Sequence, residues 1–143
     1  MIIRQMELGD IPQVAEIEKN TFSMPWSETA FRDTLKREDT LYLVAEEQGE
    51  ILGYCGLWQS LDEGEIPNVA VREKDRRRGV GQELLKELLL QGEKRGITAF
   101  TLEVRAGNKG AIGLYEKLGF RSVGIRPQFY VKPVEDAVIM WKK

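Results

Sequence analysis

The sequence predicts a mixed α/β domain in which helices pack on a single sheet. The chain has 143 residues, enough for one hydrophobic core. Hydrophobic residues make up 42% and charged residues 31%, which is ordinary for a globular protein. Strand-like and helix-like segments follow the order strand, two helices, three strands, helix, strand, helix, two strands. Since no repeat, linker or low-complexity segment is visible, we expect one domain over residues 1–143.

The first segments are a strand and two helices. Residues 1–6 are expected to form a short strand. Asp10 is expected to cap a helix with Pro12 in its first turn, because a proline there gives up no helical hydrogen bond. Ser27 is expected to cap a second helix, with Glu28 in its first turn, where a negative charge is favourable.

The middle of the chain predicts three strands, because apolar segments lie between turn signals. These strands are expected at residues 41–46, 51–59 and 66–71, with turns at residues 48–49 and 62–64. Pro67 is unusual within a strand, because it removes a ladder donor. Either its nitrogen faces no partner strand, or the last of the three strands begins at Asn68.

The second half predicts two helices and three strands. The first helix is expected at residues 80–95, with Leu84, Leu85 and Leu88 facing the core and Gly96 ending it. Asn108 is expected to cap a second helix that ends before Gly119. The strands are expected at residues 98–104, 120–125 and 134–141.

Composition excludes several classes of function. The formal net charge is −2, which argues against a surface that binds nucleic acid or membrane as a whole. The chain has no histidine, so Ser-His-Asp and Cys-His catalysis and histidine metal sites are excluded. A single cysteine, Cys55, excludes an internal disulfide and a cysteine zinc cluster. No metal site is expected. There is no signal-peptide core and no apolar run long enough for a bilayer, so we expect a cytoplasmic protein.

The most informative segment is Arg76-Arg77-Arg78-Gly79-Val80-Gly81, which follows an apolar strand and opens a leucine-rich helix. A glycine inside a helix costs roughly 1 kcal/mol relative to alanine, so two of them at a helix start need a reason. One reason is an anion lying against bare backbone N–H groups at the positive end of the helix dipole. The alternative is a solvated basic loop with a glycine for the turn. The segment is neither a P-loop nor the full dinucleotide-binding fingerprint.

Two further residues are candidates for proton transfer. Glu103 lies near the carboxyl end of an apolar strand, where sheets commonly place ligand sites. The alternative is a glutamate paired with Arg105 or Arg72. Tyr115 lies on the apolar face of the helix that begins at Asn108. The alternative is a core aromatic residue whose hydroxyl is satisfied within the chain.

Cys55 and Trp26 allow two interpretations each. Cys55 lies within a strand and is read as a small core residue rather than a nucleophile, because no histidine is present to activate it. Trp26 follows Pro25 in a loop. It either packs between the two first helices or forms a wall of a substrate groove.

In combination, these residues resemble the GNAT family of acetyl-CoA-dependent N-acetyltransferases. The loop from Arg76 to Gly81 is similar to the family's pyrophosphate loop, and Asn68-Val69-Ala70-Val71 to the strand that pairs with the pantetheine arm. The helix and strand from Asn108 to Phe120 resemble the family's ending. The resemblance implies a mixed, mostly antiparallel sheet of about six to seven strands flanked by about four helices.

Within the family the chain resembles the bacterial ribosomal-protein-alanine N-acetyltransferases. The similar segments are residues 22–28, 102–105, 126–130 and 135–140. This resemblance implies transfer of an acetyl group from acetyl-CoA to the N-terminal amine, an alanine, of a small-subunit ribosomal protein. The readings left open are an acetyltransferase for a small-molecule amine or a lysine side chain, and a non-catalytic acetyl-CoA sensor.

The resemblance also implies roles for individual residues. Glu103 would accept a proton from the amine, and Tyr115 would donate one to the thiolate. Acceptor contacts would come from Trp26, Phe129 and Tyr130. The residues implied in binding acetyl-CoA are Val69, Ala70, Val71, Arg76, Arg77, Arg78, Gly79, Val80, Gly81, Gln82 and Asn108.

Overall fold

A computed structural model describes residues 1–143 and contains one seven-stranded sheet in the order β1-β2-β3-β4-β5-β7-β6. The strands are β1 Ile2–Gln5, β2 Thr40–Glu47, β3 Glu50–Ser60, β4 Glu63–Val71, β5 Ala99–Arg105, β6 Arg121–Val131 and β7 Val134–Lys142. The helices are α1 Ile11–Thr21, α2 Glu28–Leu35, α3 Val80–Lys94 and α4 Lys109–Lys117. Short 3₁₀ turns cover Leu8–Asp10 and Glu73–Asp75. None of the helices is long and apolar enough to cross a bilayer.

The sheet is antiparallel except between β4 and β5. These two strands pair in parallel, and only where residues 63–65 of β4 meet residues 99–101 of β5. Beyond that point β4 continues with β3 alone and β5 continues with β7 alone. The expected mixed, mostly antiparallel sheet is confirmed, and the sheet opens between its two central strands.

Helices cover both faces of the sheet. Along β2, Leu41, Leu43 and Ala45 join a core with α3 and α4, whereas Tyr42 and Val44 join a second core with α1 and α2. Successive strand residues point to opposite faces, so the two cores lie on opposite sides of the sheet. Leu84, Leu85 and Leu88 of α3 are fully buried in the first core, as predicted.

Strand β4 begins earlier than expected. The predicted turn at residues 62–64 is wrong in its last two positions, because Glu63 and Gly64 pair with β3 and β5. Pro67 is accommodated within the strand. It lies at an irregularity in the β3–β4 ladder and beyond the last β4–β5 pair, so its missing N–H interrupts no regular ladder.

The helix caps and the last hairpin were predicted in part. Ser27 Oγ accepts a hydrogen bond from the backbone N–H of Ala30 at 3.1 Å, as expected of a cap. Helix α1 follows Asp10, but this carboxylate instead accepts from Arg4 and from the backbone N–H of Glu7 at 2.8 Å. Strand β6 runs on past residue 125, because its pairing with β7 resumes after a bulge.

Candidate active site

The opening between β4 and β5 forms the centre of the candidate site. Residues 66–71 of β4 and 102–105 of β5 face this opening without pairing across it. An unpaired strand edge presents N–H and C=O groups that an extended, amide-bearing ligand can use as a partner strand would. Val69, Ala70 and Val71 lie on this part of β4, which fits their predicted role beside a pantetheine arm.

A row of free backbone donors lies at the start of α3. The first backbone bond of this region goes from the N–H of Glu83 to the carbonyl of Gly79, at 3.0 Å. No backbone N–H from Arg77 to Gln82 donates to an acceptor within the chain. Together with the helix dipole, these donors suit a phosphate-bearing ligand.

The two glycines of this loop serve different purposes. Gly79 has a φ of +79° as the residue before α3, so its backbone conformation alone favours glycine. Gly81 lies inside the helix, and a Cβ there would meet Leu114 and Val71 at an ordinary 3.6 Å. Packing within the chain therefore does not require Gly81, whereas a ligand close to the helix would. The expectation that a bound anion explains both glycines is therefore wrong for Gly79, because its positive φ is reason enough for a glycine.

The three arginines of the loop are not equivalent. Arg78 forms ion pairs with the buried Asp75 at 2.6 Å and with Glu47 at 3.0 Å. Arg76 donates from Nε to the carbonyl of Val71 at 3.1 Å. The side chain of Arg77 makes no hydrogen bond or ion pair within the chain, and its φ is +66°. Arg77 is thus the arginine whose side chain is most available to a bound anion.

Gly81→Val is expected to weaken acetyl-CoA binding about tenfold, because the added side chain covers the free N–H groups at the helix start. Isothermal titration calorimetry measures the Kd. The matched control is Gly113→Val in α4, where a Cβ meets nothing within 4 Å. Equal affinities for the two variants would count against the pyrophosphate loop.

Glu103 lies on β5 and faces the α1/α2 side of the sheet. Its neighbours Leu102 and Val104 point into the opposite core. The carboxylate pairs with neither Arg105 nor Arg72, the two alternatives from the sequence. Instead, Arg126 Nε lies 3.1 Å from Glu103 Oε2. No N–H is directed at this buried oxygen, so it accepts no hydrogen bond.

Tyr115 lies on α4, in the core on the α3/α4 side, with a relative exposure of 9%. Its ring packs edge to face on Phe120, with 5.8 Å between the centroids. The ring is therefore a core residue, as the alternative interpretation holds, but the hydroxyl donates no hydrogen bond within the chain. Burial raises the pKa of the Tyr115 phenol above its usual value, so the proton is retained at neutral pH.

Asn108 caps α4, as predicted. Its Oδ1 accepts from the backbone N–H of Ala111 at 3.2 Å. This bond uses the oxygen of the carboxamide and explains the residue without a ligand. The predicted contact of Asn108 with acetyl-CoA stays a prediction.

Trp26 packs in an aromatic cluster over the α1/α2 side of the sheet. Its ring centroid lies 5.2 Å from Phe31, 6.2 Å from Tyr42 and 6.4 Å from Trp58. The backbone N–H of Trp26 donates to Glu18 Oε2 at 2.9 Å. The prediction that Trp26 is packed is confirmed, but its ring contacts α2 and the sheet, and only its backbone N–H contacts α1. Trp26 is half-buried, so part of its side chain can still contact an acceptor, and this contact stays a prediction.

Sequence reasoning missed Glu18, which is 3% exposed. Its two carboxylate oxygens accept from the Trp26 N–H and from the hydroxyl of Tyr54. Glu18 therefore ties helix α1 to the loop before α2. The available signal is its position, because it lies one turn after Val14 on the apolar face of α1.

Arg105 holds the β6–β7 hairpin beside the opening. Its guanidinium lies 4.4 Å over the ring of Tyr130 and pairs with Glu135 at 3.1 Å. Burial, and after it the Glu103 carboxylate, raises the pKa of the Tyr130 phenol. Tyr130 is half-buried next to the more exposed Phe129, with 5.1 Å between their centroids. Both aromatic residues thus lie on a hairpin that is anchored near Glu103.

Cys55 is fully buried in the first core, and burial raises the pKa of its thiol. The predicted position of Cys55 in the core is confirmed, and its lack of a nucleophilic role stays a prediction. No group of three or more His, Cys, Asp or Glu side chains is placed to hold a metal ion.

Cys55→Ala is expected to keep kcat within about twofold of the unsubstituted enzyme, because the thiol is fully buried in the core, out of reach of a substrate. Steady-state release of free coenzyme A measures this. In the folded enzyme the thiol is expected to react with an aromatic disulfide reagent only after unfolding. A loss of turnover by orders of magnitude, with the fold intact, would reveal a nucleophile.

The opening between β4 and β5 and the free N–H groups at the start of α3 suit an extended ligand that carries a phosphate. Residues 11–120 match the model of the acetyltransferase (GNAT) family. The chain belongs to this family, and acetyl-CoA is its co-substrate.

Within the acetyltransferase family, the chain is similar to proteins that are named as alanine N-acetyltransferases of a ribosomal protein. The chain is 37% identical to the putative [ribosomal protein bS18]-alanine N-acetyltransferase of Bacillus subtilis (strain 168), over 97% of this chain and 93% of that protein. It is also similar to the crystal structure of the ribosomal-protein-S18-alanine N-acetyltransferase from Escherichia coli. The TM-score is 0.90 at 36% identity, covering 99% of this chain and 92% of that one.

A more distant structure shares the fold alone. It is the PaiA N-acetyltransferase from Thermoplasma acidophilum in complex with coenzyme A, with a TM-score of 0.83 at 20% identity. The match covers 99% of this chain and 98% of that chain.

Proposed function

We propose that the chain transfers the acetyl group of acetyl-CoA to the N-terminal α-amine of ribosomal protein bS18, at an alanine. One observation carries the proposal. The opening between β4 and β5 has free N–H donors of α3 at one end. On one face it has the Glu103 carboxylate, whose Oε2 is ion-paired with Arg126 but accepts no hydrogen bond. The identity of the acceptor is inferred from the names of relatives that are 36–37% identical to this chain.

In the proposed complex, the backbone N–H groups of Arg77 to Gln82 bind the pyrophosphate of acetyl-CoA. The free side chain of Arg77 adds positive charge there. The edge of β4 from Val69 to Val71 pairs with the pantetheine arm as a further strand would. A backbone N–H near Val69 then polarises the thioester carbonyl.

Glu103 acts as the proton acceptor. An α-amine has an unperturbed pKa of about 8, so much of the acceptor arrives protonated at neutral pH. Glu103 takes this proton, directly or through water, and the neutral amine attacks the thioester carbonyl. The ion pair with Arg126 holds the carboxylate without occupying Oε2 with a hydrogen bond.

Tyr115 acts as the proton donor. As the C–N bond forms and the C–S bond breaks, the electron pair of the C–S bond stays on sulfur, and Tyr115 donates its proton to that thiolate. The nitrogen loses its second proton to water as the amide forms, and the Tyr115 phenolate regains a proton from solvent before the next turnover. Glu103 and Tyr115 belong to opposite faces of the sheet. This arrangement supports direct attack, in which the amine and the leaving thiol lie on different sides of the acetyl group. No covalent enzyme intermediate is needed.

The acceptor peptide is expected to lie on the α1/α2 side, between the loop that holds Trp26 and the hairpin that holds Phe129 and Tyr130. Glu18 anchors the loop and Arg105 anchors the hairpin. Both contacts favour a pre-formed groove, which lowers the cost of ordering on binding. Since ribosomal proteins are made in the cytoplasm, the function places the enzyme there.

Mass spectrometry of acetylated peptides tests the proposal. The panel contains the N-terminal peptide of bS18, the same peptide beginning with serine, and the same peptide with a blocked α-amine and one free lysine. We expect one acetyl group on the α-amine of the first two peptides and none on the third. Acetylation confined to the lysine would favour a lysine side chain as the acceptor. A parallel assay replaces the peptides with a set of small-molecule amines. Free coenzyme A released only with those amines would favour a small-molecule acceptor, and none released with any acceptor would favour a sensor.

A further inference from the structure

Asn68 is a buried polar side chain that the mechanism above does not use. It lies on β4 opposite Gly56 and is 6% exposed. Its Oδ1 accepts a hydrogen bond from the hydroxyl of Tyr42 at 2.9 Å. Its Nδ2 is buried and donates to no acceptor within the chain. A buried donor left unsatisfied costs about 1–3 kcal/mol, so this group needs an explanation.

The direction of the carboxamide follows from its neighbours. Trp58 Nε1, which can only donate, donates to the hydroxyl of Tyr42 at 3.3 Å. The single proton of that hydroxyl is then left for Asn68 Oδ1. The ring of Tyr42 lies directly over Gly56, where a Cβ would come within 2.2 Å of it. The oxygen of Asn68 is therefore held toward Tyr42, and the amino group is turned away from it.

Asn68 faces the same side of the sheet as Glu103. Its partner Tyr42 and its near neighbour Ala70 belong to the core under α1 and α2. The last pair between β4 and β5 is Glu65 with Thr101. Asn68 comes after Glu65 on β4, and Glu103 comes after Thr101 on β5. Since the strands separate beyond this pair, Asn68 and Glu103 lie across the opening from each other, on the same face of the sheet.

We propose that Asn68 Nδ2 donates a hydrogen bond to the carbonyl oxygen of the acceptor's first residue and so positions the α-amine at Glu103. The inference rests on the proposed function. In an N-terminal residue the carbonyl carbon is bonded to the same Cα as the amine, whereas a lysine ε-amine has no carbonyl nearby. Asn68 therefore selects α-amines, because other amines leave its buried N–H unpaired.

A thermodynamic cycle with an altered substrate tests this role. The substrates are the bS18 N-terminal peptide and the same peptide with a trans-alkene in place of its first peptide bond. The alkene removes the first carbonyl and the N–H of the second residue, and only the loss of the carbonyl is expected to depend on Asn68. The variants are Asn68→Ala and Tyr42→Phe. Both variants lose the Tyr42–Asn68 hydrogen bond, but Tyr42→Phe keeps the carboxamide. Steady-state kinetics gives kcat/KM for each combination, and thermal unfolding verifies that each variant is folded.

The expected results separate a positioning role from a structural one. The alkene lowers kcat/KM of the unsubstituted enzyme about tenfold. Asn68→Ala lowers kcat/KM for the peptide to a similar extent and shows little further loss with the alkene. Tyr42→Phe keeps the Nδ2 donor but no longer fixes its direction, so it distinguishes the two substrates by less than the unsubstituted enzyme and by more than Asn68→Ala. The KM for acetyl-CoA is unchanged in Asn68→Ala.

Two results would overturn the inference while leaving the proposed function intact. One is a full tenfold loss with the alkene in Asn68→Ala, which would show that Asn68 and the carbonyl act independently. The other is a raised KM for acetyl-CoA in Asn68→Ala, which would direct Nδ2 to the thioester carbonyl. If the unsubstituted enzyme acetylates no peptide N-terminus, the proposed function fails, and the inference fails with it.

Discussion

Glu103→Gln is expected to lower kcat by about 10²-fold, the usual effect of removing a general base. Glutamine has the same shape and keeps the position on β5, but its amide cannot take the proton of an ammonium group. The buried Oε2, which accepts no hydrogen bond within the chain, is the atom that the substitution removes from the reaction. Steady-state release of free coenzyme A with the bS18 peptide measures kcat.

The pH dependence sharpens this test. The acceptor amine loses its proton near pH 8, so above that pH less of it needs a base. The defect of Glu103→Gln in kcat/KM is therefore expected to shrink as the pH rises from 7 to about 9. Glu63→Gln, at an exposed position where β4 begins, is the matched control. A kcat equal to that of the control would remove Glu103 from the mechanism.

Tyr115→Phe is expected to lower kcat by about 10²-fold as well, because the thiolate then leaves without a proton donor. The ring that packs on Phe120 is retained, so the free energy of unfolding changes little. Since burial raises the pKa of the phenol, Tyr115 stays protonated as the pH rises through neutrality, and its own ionisation does not limit the rate there. Rapid-quench kinetics separates the chemical step from product release.

An unchanged rate in Tyr115→Phe, with the variant folded by thermal unfolding, would reassign the proton donor. Tyr130 is then the alternative proton donor, because it is half-buried and the Glu103 carboxylate contributes, after burial, to its raised pKa. Comparing Tyr115→Phe with Tyr130→Phe therefore identifies which phenol acts. We expect the larger loss of kcat for Tyr115→Phe, and for Tyr130→Phe an effect mainly on the KM for the peptide.

Local signals were enough to predict most of the fold. Ser27 and Asn108 cap helices as their side chains indicate, and the leucines of α3 face the core at helical spacing. The parallel contact between β4 and β5 could not be predicted in this way. Only three pairs of residues form it, and no local pattern states where two strands separate.

The sequence indicates the part of the candidate site that a local motif marks. It does not indicate the residues whose importance depends on their burial in the fold. The loop before α3 is visible in the sequence because two glycines and three arginines adjoin there. The ion-pair partners of Arg78 and of Glu103 could not be predicted from the sequence. Asp75, Glu47 and Arg126 reach their partners only in the folded chain. Glu18 and Asn68 read as ordinary polar residues until their burial is known.

A crystal structure with a bisubstrate conjugate would show where both substrates bind. The conjugate joins coenzyme A, through its acetyl group, to the α-amine of the bS18 N-terminal peptide. We expect the pantetheine between β4 and β5 and the pyrophosphate on the N–H groups of Arg77 to Gln82. We also expect Glu103 within hydrogen-bonding reach of the α-nitrogen, directly or through one water. A conjugate bound outside the opening, or with its α-nitrogen on the α3/α4 side of the sheet, would overturn the proposed mechanism.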